Sequence, residues 1–484
     1  MPVPIRVPVT AVSLLLICLW LVSGGGLLHA QPLNSQLQDL TERGAASRAV
    51  WGIYAAELES GNILADINGT RLHVPASNRK LVTTAMAAKR FQPDRRIETE
   101  LRAERLANGG VVEGDIVLHA AGDPSWTSEL QNGRTGVAHL RGLARAAYQA
   151  GLRRVEGDLV IDTGLFVDSQ PLPPGWTWGN LDASFASRPA VLSLNRNLAG
   201  ITMRPSRQGE PVDHSVVMNP APFEVENRSM TLGAGSAPTI RLERDLEGRW
   251  VTLRGGIPAG SDAASRLLPV GKPVDMTAGV FHRLLQEEGV EMGGGIRFER
   301  SIPRGNLLLG TLRGATFAEM VTLCNERSDN FVAESLYLLC SGERYGRASY
   351  DGSHQLEQEF WRSIGVDPAD VRSADGSGLS RENAITPEAL VELLLHMREV
   401  PWFYESLPVS GRTGTLRFRL SQDGMAGRVR AKTGTLNGTA ALSGYVTTNS
   451  GNTVVFSIMA NNFTGSTAAI RNRIDEMVTV LAGR

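Results

Sequence analysis

Lysine is scarce in this chain. Only Lys80, Lys89, Lys272 and Lys432 occur, and every other basic residue is arginine. The chain also lacks an excess of charge, since 49 basic side chains stand against 50 acidic ones and the net charge is −1. Without a basic field, we expect no nucleic-acid partner and at most peripheral contact with a membrane.

Cysteine is also scarce, and the histidines are not clustered. Of three cysteines, Cys324 and Cys340 fall in one predicted helical stretch, where a rise of about 1.5 Å per residue would hold them about 24 Å apart. A disulfide needs Cα atoms within about 7 Å, so the two thiols are predicted to be unpaired unless that helix doubles back. The eight histidines are scattered and neither CxxC nor HExxH occurs, so we expect no metal and no cofactor.

Long apolar runs are absent except at the N-terminus. Arg6 precedes a nearly unbroken apolar run over 11–22, three glycines follow, and Ala30 offers a small residue before a cut. This pattern predicts an export signal over residues 1–30 and a mature chain that begins at Gln31. A retained membrane anchor is the alternative, but the run is shorter than the roughly 20 residues that a spanning helix needs.

The rest of the chain has the length and apolar content of a globular protein with two or three domains. Alternating apolar and polar residues predict a hairpin over 50–63, and the spacing over 114–162 predicts a strand–helix–strand unit. Short strands are predicted over 194–256. Helices are predicted over 277–289, 315–340 and 387–397, and strands over 439–447 and 452–459 before a last helix from Ser466.

The first motif with chemical potential is Ser77-Asn78-Arg79-Lys80, a Ser-x-x-Lys at the start of a predicted helix. A spacing of three places the serine and lysine on one helical face, and the helix N-terminus favours negative charge that develops at the serine. Lysine can act as a base once burial or a second cation lowers its pKa, which arginine cannot do. By itself the motif is more typical of a serine N-cap followed by an exposed lysine.

Two later motifs complete a set. Ser328-Asp329-Asn330 offers a hydroxyl that can relay a proton and an amide that can hold a substrate carbonyl. Lys432-Thr433-Gly434-Thr435 opens a predicted strand, where the lysine and hydroxyls suit a carboxylate, the glycine admits a ligand backbone, and the strand edge can pair with an extended peptide. Each alone is typical of a turn. Together and in this order they are the set of penicillin-binding proteins and class A β-lactamases.

With these motifs, the chain resembles the class C low-molecular-mass penicillin-binding proteins of the DacB type over nearly all of its predicted mature length. The gap between Lys80 and Ser328 fits, because this family inserts two domains there. Further similar segments are Gly122-Asp123-Pro124, Pro174-Gly175-Trp176-Thr177-Trp178, Ser193-Leu194-Asn195, Asp375-Gly376-Ser377-Gly378-Leu379-Ser380 and Leu407-Pro408-Val409-Ser410-Gly411.

The resemblance implies an α/β (α+β) fold in which a serine β-lactamase/transpeptidase-like domain is split by a large insert. We expect the catalytic domain at 31–95 and 275–484. An inserted α/β domain is expected at 96–193 and 257–274, with a nested β-rich domain at 194–256.

The resemblance also implies a function. It implies a serine-type D-Ala-D-Ala carboxypeptidase, with endopeptidase activity, that cleaves peptidoglycan stem peptides and cross-links in the periplasm or cell envelope. The reaction would pass through an acyl-enzyme that β-lactams also form, covalently inhibiting the enzyme. In this scheme Ser77 is the nucleophile, Lys80 the base, Ser328 and Lys432 the proton relay, and Asn330 the residue that positions the peptide. Thr433, Gly434 and Thr435 bind substrate, the backbone N–H groups of Ser77 and Thr435 form the oxyanion hole, and the proton acceptor from Ser77 stays open.

One segment departs from the family pattern. The family carries an acidic residue just after the Trp-x-Trp segment, where it recognises the amine of a diamino acid in the stem peptide. Here Gly179 and Asn180 stand at that place and the acid is displaced to Asp182. Either Asp182 takes over beside Asn180, or preference for that amine is weaker, or Asp182 only caps a turn.

Two rival functions remain on sequence alone. A β-lactamase needs a second base to hydrolyse its acyl-enzyme, and no convincing Glu-x-x-x-Asn loop lies between the first two motifs. A catalytically idle peptidoglycan-binding scaffold is disfavoured because Ser77, Lys80 and Lys432 are all intact. A Ser–His–Asp hydrolase lacks its Gly-x-Ser-x-Gly elbow.

Overall fold

Residues 32–483, except 134, 246, 301 and 423, are described by a computed structural model. The predicted export signal over 1–30 lies outside the described residues. The helices are α1 Leu33–Thr41, α2 Arg79–Arg90, α3 Gly136–Gln149, α4 Pro273–Glu287, α5 Phe317–Arg327, α6 Asn330–Tyr345, α7 Tyr350–Ser363, α8 Pro387–Met397, α9 Pro401–Glu405 and α10 Thr467–Ala482. The strands are β1 Val50–Glu57, β2 Ile63–Ile67, β3 Arg96–Ala103, β4 Val111–Val112, β5 Ile116–His119, β6 Arg154–Val155, β7 Leu159–Asp162, β8 Leu198–Arg204, β9 Asp213–Val216, β10 Glu224–Leu232, β11 Arg241–Arg244, β12 Trp250–Pro258, β13 Ala264–Pro269, β14 Glu291–Met292, β15 Ile296–Glu299, β16 Leu307–Thr316, β17 Val371–Arg372, β18 Ala384–Ile385, β19 Val429–Leu436, β20 Thr439–Thr447 and β21 Thr453–Asn461.

The two ends of the chain share one five-stranded antiparallel sheet, in the order β19-β20-β21-β1-β2. Strands β20 and β21 are buried along nearly their whole length because helices cover both faces. Ile53 and Ala55 face a core that includes α1 and α10, whereas Tyr54 and Ala56 face the larger core with α2 and α8. The predicted early hairpin and the closing strand–strand–helix unit are confirmed.

Helix α2 lies at the centre of the larger core, where it packs against α5 and α6. All of its residues except the last two are buried. At its first turn Arg79 is buried and forms an ion pair with Glu357 of α7, while the ring of Phe91 just beyond its end stacks on Phe317 at 3.8 Å. Both ends of α2 are therefore fixed by its neighbours.

Between α2 and α5 the chain forms a large segment, which we call the insert. Its main sheet has the order β15-β7-β5-β3-β16, and β5 and β7 are parallel with α3 between them in sequence. This arrangement confirms the predicted strand–helix–strand unit. Strands β15 and β16 lie after residue 275, yet they pair with β7 and β3. These pairings do not fit the expected return to the catalytic domain at 275, and we propose that the insert runs from β3 to β16.

The nested β-rich module consists of two three-stranded sheets, β10-β12-β11 and β13-β8-β9. The prediction that 194–256 consists mainly of short strands is confirmed. Its end at 256 is too early, because β12 continues to Pro258 and β13 pairs with β8 in antiparallel register. Residues 257–269 therefore lie in the nested module and not in the α/β part of the insert.

The helical stretch predicted over 315–340 is interrupted. Helix α5 ends at Arg327, Ser328 adopts a left-handed conformation with φ 57° and ψ 40°, and α6 begins at Asn330. The single-helix premise for Cys324 and Cys340 is therefore wrong. The conclusion drawn from it is confirmed, since both thiols are free and buried.

Within the described ranges, no helix is both long and apolar enough to cross a bilayer. The same residues contain no group of three or more His, Cys, Asp or Glu side chains arranged to hold a metal ion.

Candidate active site

The segment that carries Ser77 is held tightly against two other segments. A 3-10 turn at Ala76–Asn78 leads directly into α2, and Ala76 is left-handed with φ 47°. Gly378 approaches so closely that a Cβ there would lie 1.9 Å from the Ala76 carbonyl oxygen. Only glycine fits at 378, because that backbone approach and its own φ of 82° exclude a side chain.

Lys80 is fully buried and reaches three oxygen atoms. Its Nζ lies 2.9 Å from Ser77 Oγ, 2.6 Å from Asn330 Oδ1 and 2.6 Å from the Ser377 carbonyl oxygen. The last two can only accept hydrogen bonds, so they engage both N–H groups of a neutral amine. The lone pair of that amine is then left for the hydroxyl of Ser77, which is the geometry of a general base.

The electrostatics around Lys80 work in opposite directions. Burial lowers the pKa of Lys80 below its ordinary value, while charges that include those of Asp375 and Glu334 favour its protonated form. Burial and the neighbouring Asp375 in turn raise the pKa of Glu334 to about 7. Loss of solvent is the largest effect on the amine, so its neutral form is more accessible than that of a lysine in water.

A buried carboxylate explains why the Ser377 carbonyl faces Lys80. Glu334 Oε1 accepts from the Ser377 N–H at 2.7 Å, and its Oε2 accepts from the Gly376 N–H at 3.0 Å and the Tyr350 hydroxyl at 2.8 Å. Asp375 fixes the other side of the loop through the Gly378 and Ser380 N–H groups. Sequence reasoning noticed the Asp375 segment but missed Glu334, whose position one helical turn after Asn330 was the available signal.

Ser328 and Lys432 lie together across the site. Lys432 Nζ donates to Ser328 Oγ at 2.8 Å and to the carbonyl oxygen of Thr433 at 2.9 Å. Burial, and after it the charge of Lys80, lowers the pKa of Lys432 well below its ordinary value. A hydroxyl bonded to an amine with this pKa is suited to passing a proton.

Asn330 joins the base to the insert. Its Oδ1 accepts from Lys80, and its Nδ2 donates to the Phe185 carbonyl oxygen at 2.8 Å. Both ends of the amide are thus engaged by protein. One of the two N–H groups of the amide that was expected to hold a substrate carbonyl is thus bonded to the insert.

Strand β19 is an edge of the five-stranded sheet that the two ends of the chain share, and it carries the motif Lys432-Thr433-Gly434-Thr435. A Cβ at Gly434 would lie 2.6 Å from the Pro75 carbonyl oxygen, so glycine is needed here for the close approach of the chain before Ser77. Thr433 Oγ1 donates to Thr415 Oγ1 at 2.9 Å. Thr435 Oγ1 accepts from Arg471 of α10 at 2.8 Å, a contact that sequence reasoning missed.

A cleft of about 500 Å³ opens over these groups. Asn180 is on its wall, but Asp182 is not, because its carboxylate turns to Arg244 of the nested module at 3.1 Å. Among the alternatives for Asp182, this placement disfavours the one in which its carboxylate recognises a substrate amine. Sequence reasoning also missed Arg381, a cation on the wall. The lining residues are Ser77, Thr177, Asn180, Phe185, Ser328, Asn330, Gly378, Leu379, Arg381, Thr435, Leu436, Asn437 and Thr467.

A serine beside a buried lysine, a second Ser–Lys pair and an edge strand along one cleft define an active-site-serine peptidase of the penicillin-binding class. The family model described as D-Ala-D-Ala carboxypeptidase 3 (S13) matches residues 33–483, so the chain belongs to that family. It is a serine-type D-Ala-D-Ala carboxypeptidase, and the resemblance found in its motifs is confirmed.

Individual relatives agree with this assignment. The chain is 29% identical to a D-alanyl-D-alanine carboxypeptidase of Actinomadura sp. (strain R39) over 93% of this chain and 85% of that protein. It is 26% identical to the D-alanyl-D-alanine carboxypeptidase DacB of Haemophilus influenzae over 89% of each chain. The crystal structure of penicillin binding protein 4 (dacB) from Haemophilus influenzae superposes with a TM-score of 0.80 at 24% identity, over 92% of this chain and 98% of that one. The shared fold confirms the predicted fold class.

Proposed function

We propose that this chain removes the terminal D-Ala from peptidoglycan stem peptides that end in D-Ala-D-Ala, with Ser77 as the nucleophile. The observation that carries the proposal is the hydrogen bonding of Lys80, whose two other partners leave its lone pair for the hydroxyl of Ser77. A buried amine in that position is what an unactivated serine needs to attack an amide.

The first half of the reaction forms an ester. Ser77 Oγ attacks the carbonyl carbon of the penultimate D-Ala as its proton passes to Lys80. The charge that develops on the carbonyl oxygen is stabilised by the backbone N–H groups of Ser77 and Thr435. Both residues line the cleft, which supports this role.

The second half releases D-Ala and restores the serine. As the tetrahedral intermediate collapses, the C–N bond breaks and the departing amine takes a proton through Ser328, which Lys432 supplies in exchange. Water then attacks the ester carbonyl as its proton passes through Ser328 to Lys432, which gave one up in the previous step. The bond between the carbonyl carbon and Ser77 Oγ breaks, Ser77 takes its proton back from Lys80, and the stem peptide leaves with a new carboxyl group. The 2.8 Å bond between Ser328 and Lys432 supports this relay.

Substrate recognition is proposed to rest on the edge of β19. An extended peptide can pair with this edge, and the hydroxyls of Thr433 and Thr435 suit its terminal carboxylate. Lys432, Arg381 and Arg471 add positive charge around that position. None of the cleft-lining residues is acidic, so we expect little selection for an amine on the stem peptide, with Asn180 as a neutral contact.

Two further properties follow from the same chemistry. A cross-link differs from a D-Ala-D-Ala end only in the amine that leaves, so DD-endopeptidase activity is part of the proposal. β-Lactams offer a strained amide to the same serine, and penicillin binding protein 4 is named for binding such a compound. Because no carboxylate lines the cleft to activate water, the penicilloyl ester is expected to persist, which disfavours a β-lactamase.

We place these reactions in the periplasm or cell envelope after removal of the signal.

The proposal is tested by labelling the purified protein with a fluorescent penicillin and by measuring D-Ala release from a D-Ala-D-Ala peptide. The wild-type protein should keep its label through a denaturing gel, and Ser77→Ala should lose both label and D-Ala release while its circular dichroism is unchanged. Transient label with drug turnover would indicate a β-lactamase, and absence of label a scaffold. D-Ala release by Ser77→Ala at a near-normal rate would refute the proposal.

A further inference from the structure

The insert touches the loop between α5 and α6 at two points. Arg196 Nη2 lies 2.9 Å from Asp329 Oδ2, and the Phe185 carbonyl oxygen accepts from Asn330 Nδ2 at 2.8 Å. The remaining residue of that motif, Ser328, accepts a hydrogen bond from Lys432 of β19 instead. Two of the three motif residues thus depend on the insert for their partners.

Arg196 is presented by a fixed turn. Three consecutive residues, Asn195, Arg196 and Asn197, are left-handed, with φ of 49°, 56° and 55°. Asn195 Oδ1 accepts from the Gly136 N–H at 3.0 Å, and Asn197 Oδ1 accepts from the Leu194 N–H at 3.2 Å. Asparagine adopts this conformation more readily than most residues, so the two asparagines keep the arginine between them in place.

The guanidinium of Arg196 contacts two carboxylates. Arg196 Nη1 lies 3.3 Å from Glu129 of the insert, while Nη2 reaches Asp329. The Asp329 side chain is only 8% exposed, and its other oxygen caps α6 by accepting from the Val332 N–H at 3.0 Å. Asp329 is therefore pinned between the insert and the first turn of α6.

The loop needs such support because Ser328 is left-handed, a conformation that non-glycine residues rarely adopt. That conformation directs Ser328 Oγ to Lys432 and starts α6 at Asn330, next to Lys80. If the loop relaxed, the relay serine and the amide that orders Lys80 would move together.

We infer that Arg196 is a positioning residue for the acylation step, through its ion pair with Asp329. The inference rests on the proposed function, since it assigns the insert a part in aligning Ser328 and Asn330. Arg196 touches no reacting atom. It acts by holding the loop that carries these two residues at the correct distance from Lys432 and Lys80.

The experiment measures the second-order rate of acylation by a fluorescent penicillin, and separately the fraction of protein that is labelled at completion. Arg196→Gln removes the ion pair. Asp329→Asn removes the same pair but keeps an oxygen that can cap α6. The double variant completes a double-mutant cycle with these two. Arg196→Lys keeps a cation but lacks the forked guanidinium of arginine. Arg145→Gln is the matched control, because it breaks only an ion pair with Glu288 inside the insert.

Arg196→Gln and Asp329→Asn are each expected to acylate roughly 10- to 100-fold more slowly, as for a misplacement of about 1 Å. The labelled fraction should stay complete, whereas damage to folding would lower that fraction. The double variant should be no slower than the slower single one. Arg196→Lys should recover part of the rate, and Arg145→Gln should match the wild type.

A normal acylation rate in Arg196→Gln overturns the inference, and so do single effects that multiply in the double variant. Failure of the proposed function is a different result, because the wild-type protein would then take no label or Ser77→Ala would still take it.

Discussion

At the scale of single residues, the site depends on two amines that are buried away from solvent. Lys80 and Lys432 are both fully buried, and the charge of Lys80 acts against protonation of Lys432. Asp375 and Glu334 favour the charged form of Lys80. Against that attraction, burial and the repulsion between the two amines make one proton on the pair more favourable than two, which suits a site that must take a proton from Ser77 and give one to a leaving group.

The pH dependence of acylation follows from the lowered pKa of Lys80. The base must be unprotonated, so on the acidic side of its profile the acylation rate should rise with pH, with a midpoint below the ordinary 10.5 of lysine. Lys80→Arg keeps the positive charge but cannot lose its proton, and its rate should fall roughly 10²- to 10⁴-fold at every pH. Stopped-flow labelling across pH measures both.

The control for this prediction is Lys89→Arg, since Lys89 is an exposed lysine on the same helix. It should leave the profile unchanged. A midpoint at or above 10.5 in the wild-type protein, or a normal rate in Lys80→Arg, would show that Lys80 is not the base.

At the scale of secondary-structure elements, the site is formed where α2, the α5–α6 loop, the 375–380 loop and β19 meet. Two glycines allow this meeting, Gly378 beside Ala76 and Gly434 beside Pro75. Glycine is required at these places for contacts between protein segments. The nucleophile is thereby clamped between a loop and a strand before any ligand arrives.

Gly434→Ala tests that clamp. The added methyl would lie 2.6 Å from the Pro75 carbonyl oxygen, so either β19 or the turn before Ser77 must shift. We expect a loss of about 1–3 kcal/mol in the free energy of unfolding, as in overpacked cores, and an acylation rate reduced at least about tenfold. Urea unfolding and penicillin labelling measure the two effects.

The same substitution at Gly142 is the matched control. Gly142 is exposed within α3 and has no atom within 4 Å of an added Cβ. There alanine should stabilise the protein by up to about 1 kcal/mol without changing the acylation rate. Equal effects at 142 and 434 would mean that the clamp is not what makes Gly434 necessary.

At the scale of the whole molecule, the insert and the catalytic part are joined by one core. Buried residues of insert strands, such as Leu101 and Ile161, belong to the same hydrophobic cluster as Leu81 of α2 and Leu336 of α6. The insert also supplies Phe185 and Arg196 to the site. It is therefore an integral part of the folded enzyme, although it interrupts the catalytic domain in sequence.

A continuous core predicts cooperative loss of structure and function. Thermal unfolding followed by circular dichroism and the loss of penicillin-labelling competence should share one midpoint. The measurement is a temperature series in which aliquots are labelled for a short, fixed time. Labelling that persists after the first of two separate transitions would show that the insert and the catalytic part unfold independently.

The sequence by itself determined the family, the order of the three motifs and most elements that carry them. These features depend on local periodicity and on residue type, both of which can be read along the chain. The early hairpin, the strand–helix–strand unit, the helix at Pro387–Met397 and the closing strands were all within reach of that reasoning. The spacing of Ser77 and Lys80 was enough to predict their shared helical face.

Only the tertiary structure decided which distant residues meet. The pairing of β15 and β16 with insert strands, the turn of Asp182 toward Arg244 and the contact of Arg196 with Asp329 all join segments far apart in sequence. No local pattern encodes such contacts, because hydrogen-bond ladders and ion pairs depend on where folding brings each backbone. For the same reason Glu334 and Gly434 showed their roles only once their neighbours were known.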